Sequence, residues 1–126
     1  MIEINNLTTV AVDKEFLKRV ARKVLKGENK EGIDLSIVFT GEKKIRKLNK
    51  KYRKKDKVTD VLSFGDGLNE IIICLGEVKK NAKKYNSTSK KELARVLIHG
   101  ILHLLGYEHS KKMQKKEEYY GQTTYN

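Results

Sequence analysis

The sequence predicts an α+β fold: a single domain in which a small mixed β-sheet is packed with helices around one central, buried helix. Three observations carry that expectation. Short segments with apolar residues at alternate positions are interleaved with longer segments whose apolar residues recur every three to four positions. The segment from 89 to 105 is apolar nearly all round, as a helix covered on most sides must be. The chain has 126 residues with 38% hydrophobic content, so residues 1–126 read as one domain with one core.

The elements follow in order. Met1–Asn5 reads as a strand, because Ile2 and Ile4 alternate with polar neighbours. Asp13 is placed to cap a helix in which Phe16, Leu17, Val20, Ala21, Val24 and Leu25 recur at helical spacing, and Gly27 closes it. Ile33, Leu35, Ile37 and Phe39 occupy alternate positions of a second strand. Thr40 is expected to cap a second helix with Ile45, Leu48 and Tyr52 on one face. Val61–Phe64 is β-branched or aromatic and reads as a strand, followed by a turn at Asp66-Gly67. Ile71–Leu75 is a continuous apolar run, which fits a more central strand. Glu77 is expected to open a helix running to about Tyr85. Ser89-Lys90-Lys91-Glu92 has the capping-box pattern and opens the buried helix. Lys111–Glu118 forms a further short helix, and the polar end, Gly121–Asn126, is expected to fray.

Composition narrows the function classes. The single cysteine, Cys74, excludes an intrachain disulfide and reads as a buried, inert thiol. No apolar run approaches the roughly 20 residues of a membrane span, and the first ten residues carry no signal-peptide pattern. A cytoplasmic location and no membrane partner are expected. Lys plus Arg total 28 against 16 Asp plus Glu, for a net charge of +12. Such a field attracts polyanions, although it also serves solubility. Between Lys43 and Lys57 ten of fifteen residues are basic. Their apolar neighbours keep helical spacing, so this is a structured basic face that can contact phosphates. Arg53 sits where helix gives way to loop, and arginine is the better planar clamp for phosphate.

The chemistry lies near the end of the chain. His99, His103 and His109 are the only histidines and fall within eleven residues. Residues four apart lie about 40° apart around a helix axis, so His99 and His103 share a face. Gly106 can end the helix with positive φ and turn the chain so that His109 reaches the same point. Three unpaired buried imidazoles would be costly, and a metal removes that cost. Three histidines with one open position make a catalytic type of zinc site, although other divalent metals also accept this donor set. The spacing is that of the metzincin proteases, His-x-x-x-His-x-x-Gly-x-x-His, but their general-base glutamate is replaced by Gly100. Gly100 either lets the helix pack closely on the sheet or leaves room for substrate.

His99–His109 resembles the signature of the YbeY family, His-Gly-x-x-His-Leu-x-Gly-Tyr-Asp-His. Asn49–Asp56 and Thr59–Phe64 resemble that family's Asn-x-x-Tyr-Arg-x-x-Asp and Thr-Asp-Val-Leu-Ser-Phe segments, and Leu75-Gly76-Glu77-Val78 its Leu-Gly-Asp-Ile. The resemblance spans about two-thirds of the chain. It implies a metal-dependent, single-strand-specific endoribonuclease that matures ribosomal RNA at the 3′ end of the small-subunit species. It also implies an α+β fold with a central helix under the sheet, and zinc (one Zn2+) on His99, His103 and His109. The partners expected are single-stranded RNA and the small ribosomal subunit. The sequence departs from the family pattern at Glu77 and Glu108, where aspartate is usual, and at Val58 and Gly65, where proline is usual.

Arg53 is the candidate to meet charge growing on the phosphoryl oxygens. Glu108 is the candidate proton carrier, with another nearby group or bulk water as the alternatives. Asp60 and Ser63 either face the site or serve the local backbone, and Tyr107 either stacks on a base or packs. Two other function classes stay open: a non-catalytic rRNA-binding assembly factor with structural zinc, and a metzincin-like metallohydrolase.

Overall fold

The computed structural model describes residues 1–125, with side chains through Thr123. Its elements run β1 (Ile2–Asn6), α1 (Lys14–Gly27), β2 (Leu35–Thr40), α2 (Glu42–Arg53), β3 (Val61–Phe64), β4 (Glu70–Cys74), α3 (Leu75–Lys84), α4 (Ser89–Leu104) and α5 (Lys111–Tyr125). The four strands form one mixed sheet in the order β1-β2-β4-β3. β1 and β4 flank β2 in parallel, and β3 pairs with β4 antiparallel. The β3–β4 hairpin turns at Asp66 and Gly67, both with positive φ (52° and 96°), while Leu68 N donates to Gly65 O at 3.2 Å. That is the turn chemistry the Asp-Gly pair predicts.

Strand alternation sorts the core into two layers. Leu35, Ile37, Phe39, Ile71 and Ile73 face a large cluster built with α1, α3, α4 and α5. Ile72, Cys74 and Leu62 point the other way and are covered by Ile45 and Leu48 of α2. β4 is therefore apolar from Ile71 to Cys74 because both its faces are buried there. Cys74 is fully buried, and burial raises its thiol pKa, so it is the inert core residue the sequence suggests. α4 crosses beneath the sheet, touching α1, α3, α5, β3 and β4. No helix among the described residues is long and apolar enough to cross a membrane.

Several local expectations shift. Thr40 does not cap α2: it is the last residue of β2 and buried, and Gly41 holds the cap position without a side-chain bond. α4 is capped one residue earlier than expected, by Thr88, whose Oγ1 accepts from Lys91 N at 3.1 Å. Glu92 then falls past the capping-box position, and its carboxylate takes a bidentate bond from Arg95 instead. α3 starts at Leu75, two residues before Glu77, because the chain turns directly out of β4. α5 does not stop at Glu118. It continues through Gly121 to Tyr125, where a frayed end was expected; Asn126 lies outside the described residues.

α5 persists because it is tied to α1. Glu28, just past the end of α1, has a side chain only 7% exposed. It accepts from Tyr107 Oη and Tyr120 Oη, both at 2.5 Å, and from Lys116 Nζ at 2.9 Å. Burial alone would raise its pKa, but the bonds from Tyr107, Tyr120 and Lys116 prevail and hold it below its ordinary 4.5. The carboxylate therefore clamps α1, the loop after α4 and α5 together. Since the folded pKa is the lower, this stabilisation is complete above pH 4.5 and is lost as pH falls through the folded value. Glu28→Ala is expected to cost about 2 kcal/mol at pH 7. In melts followed by circular dichroism, the gap from wild type should narrow below pH 4. A gap independent of pH would show that the clamp is not ionic.

Candidate metal centre

The geometry around the histidines starts with the end of α4. Gly106 has φ +101°. Its N–H donates to His103 O, and Tyr107 N–H donates to Leu102 O, both at 3.0 Å. These two bonds form a Schellman motif, which closes the helix and sends the chain back along its own end. Tyr107 is then fixed by Glu28, so the turn that carries His109 is held from both sides.

The three imidazoles converge as the spacing predicts. Their ligand atoms lie within 4.8 Å of one another, and among the described residues they form the group that could hold a metal ion. Ring centroids are 4.6 Å apart for His99–His103, 4.5 Å for His103–His109 and 5.2 Å for His99–His109. The Nε2 atoms of His103 and His109 are 3.2 Å apart. Two nitrogens about 2.0–2.1 Å from a tetrahedral ion would be about 3.3 Å apart, so the spacing suits a shared metal. His103 has its pKa lowered, first by burial and then by the charges of His99 and His109, with Arg53 adding to the effect. The neutral imidazole is the form that binds a metal.

The other candidates are distributed around this centre. Arg53 is exposed at the last residue of α2, and its charge reaches His103. α2 lies across the sheet from α4, but its end meets the β3 edge, where Tyr52 and Phe64 make an edge-on contact at 5.2 Å. Glu108 is exposed and lines a hollow with Glu28, Lys30 and Tyr107. The hollow that contains His99 and His109 is lined by Ser110, Met113, Gln114 and Glu117 instead. Tyr107 packs, with its hydroxyl committed to Glu28. Ser63 serves the fold: its Oγ donates to Gly100 O at 2.8 Å. Asp60 Oδ2 accepts from Asn81 at 3.4 Å and lies 3.8 Å from Arg95 Nη2.

Sequence reasoning did not find Glu117. Its Oε1 meets His99 Nδ1. The two residues are eighteen apart on different helices, so no local spacing rule connects them. Glu28 was missed for the same reason.

A family model described as Endoribonuclease YbeY matches residues 3–124. An Endoribonuclease YbeY of Sulfurihydrogenibium sp. is 41% identical over 107 residues, covering 78% of this chain and 70% of its own. The chain belongs to the YbeY family. A second YbeY, from Chlorobium luteolum, is 34% identical and covers 96% of both chains. The solution structure of TM1509 from Thermotoga maritima superposes with a TM-score of 0.73 at 33% identity, over 99% of this chain and 89% of that one.

Within this YbeY fold Gly100 is a packing residue. A Cβ there would lie 3.2 Å from Ile71 Cγ2, Ser63 Oγ and Val61 Cγ2, so α4 rests directly on β3 and β4. Gly100→Ala would gain about 1 kcal/mol of helix propensity. It would also overpack the contact, at a cost of about 1–3 kcal/mol. A net fall of a few degrees in melting temperature is expected. Gly100→Glu, which restores the metzincin base, should give no folded protein. A rise in the melting temperature of Gly100→Ala would show that β3 can yield.

Proposed function

We propose that the protein is a zinc-dependent, single-strand-specific endoribonuclease that acts in the cytoplasm on ribosomal RNA, maturing the 3′ end of the small-subunit species in contact with the small ribosomal subunit. The observation that carries this reading is the convergence of three imidazoles whose ligand atoms lie within 4.8 Å of one another. The activity in the names of the curated relatives supports it. So does the net charge of +12, which suits a polyanionic substrate.

In this reading His99, His103 and His109 hold the metal. Zinc bound there supplies Lewis acidity toward a phosphoryl oxygen and brings the ionisation of water near neutral pH. Arg53 approaches from the end of α2 and faces the phosphodiester, where its guanidinium meets charge that grows on the equatorial oxygens. Lys50, Lys51, Lys54 and Lys55 surround it and hold the strand by its backbone, without regard to base. Glu108, exposed and next to His109 in the sequence, is assigned the proton-carrying role. No carboxylate stands at the residue after His99, so peptide hydrolysis by the metzincin route has no base here.

The test is cleavage of an end-labelled single-stranded RNA by the zinc-loaded protein and by His103→Ala at equal folded content. Wild type should cut and the variant should not. The product ends then separate attack by water from attack by a 2′-hydroxyl. Arg53→Ala should lower kcat by about 10²–10³, and Arg53→Lys should recover only part, because lysine cannot offer two parallel donors. RNA binding without cleavage by either protein would instead favour a non-catalytic rRNA-binding assembly factor. Equal cleavage by both would remove the metal site from the reaction.

A further inference from the structure

We propose that Glu117 is the positioning residue of the metal centre: its carboxylate accepts the Nδ1 proton of His99 and so presents Nε2 of that ring to the metal. The proposal rests on the three-histidine reading above and adds a fourth residue that the signature does not contain.

The geometry comes from two helices. His99 projects from α4 and Glu117 from α5, and Oε1 of the carboxylate meets Nδ1 of the imidazole. Both side chains are largely enclosed, at 21% and 18% exposed. An imidazole has two nitrogens, and a neutral ring protonates one of them. With Nδ1 committed to a carboxylate, the proton belongs there and the lone pair belongs on Nε2. His103 and His109 already turn their Nε2 atoms toward each other at 3.2 Å, so the third Nε2 completes a uniform donor set. A carboxylate behind a metal-binding histidine fixes the tautomer, holds the ring in orientation and raises its basicity.

The carboxylate also lies within the electrostatic range of Arg95. Arg95 lies one turn before His99 on α4, and Glu117 contributes to the raised pKa of Arg95, after Glu92 and Asp60. Arg95 is anchored by both oxygens of Glu92, at 3.0 and 2.7 Å, with Asp60 3.8 Å away. Asp60, in the Thr59–Phe64 block, and Glu117 thus both act on Arg95. α5 is fixed independently by Tyr120 and Lys116 on Glu28, so the position of Glu117 does not depend on the metal.

The test uses the full chain and zinc itself, in competition with a chromogenic chelator, together with the absorption spectrum of the cobalt-substituted protein. Glu117→Ala should weaken zinc binding about 10- to 100-fold, while its metal-free melting temperature stays near wild type. Glu117→Gln keeps an oxygen that accepts the Nδ1 proton, so it should recover much of the affinity. The cobalt spectrum should keep its intensity in both variants, because the ligand count is unchanged. Unaltered zinc affinity in Glu117→Ala would overturn the proposal. Equal losses in both variants with a changed cobalt spectrum would also overturn it, because Glu117 would then be a ligand. A wild-type chain that takes up no zinc would instead remove the three-histidine reading, and this proposal with it.

Discussion

The whole arrangement depends on how closely α4 lies against the sheet. Gly100 has no side chain, and the space a Cβ would fill is bounded by Ile71, Ser63 and Val61. Ser63 adds a hydrogen bond to the Gly100 carbonyl, which fixes the helix in height as well as distance. His99 precedes Gly100 and His103 follows it by three positions, so both are set relative to β3 by this contact. The same seam brings the end of α2 and Arg53 within electrostatic reach of His103. A methyl group at position 100 would require Ile71, Ser63 or Val61 to give by a few tenths of an ångström.

Two hydrogen-bonded devices then bring the remaining parts in. The Schellman turn at Gly106 reverses the chain, and Glu28 pins it through Tyr107 while holding α5 through Tyr120 and Lys116. A buried carboxylate with three donors is a strong constraint, because leaving any one of them unpaired would cost free energy. Glu28, at the end of the first helix, thus ties α5 to α1. Met113 and Tyr120 of α5 also pack into the main core, which holds this otherwise polar helix in place.

Electrostatics divide along the same lines. The outer helix α2 carries a dense basic face, whereas burial and the neighbouring charges of His99, His109 and Arg53 favour the neutral imidazole of His103. The acidic side chains near the site are drawn to its inner side, where Glu92, Asp60 and Glu117 surround Arg95. The approach to the metal centre from α2 is positive and its back is acidic.

Periodicity made most of the fold legible. The strand pattern, the central place of β4, the Asp13 cap and the nearly all-apolar α4 each reflect local rules of spacing, and each is found. The histidine cluster was legible for the same reason, since four residues on a helix and a glycine stop are short-range geometry. Element ends were less so: Thr40 and Thr88 differ in role because tertiary burial decides whether a hydroxyl faces a helix start or the core. By itself, the sequence determined the α+β class, the buried helix and the convergence of His99, His103 and His109. Tertiary structure alone decided that Glu117 meets His99, that Glu28 reaches residues 79 to 92 positions away, and that Gly100 serves packing. Pairings between residues so far apart in the chain exist only once the sheet and helices have packed, and no periodicity records them.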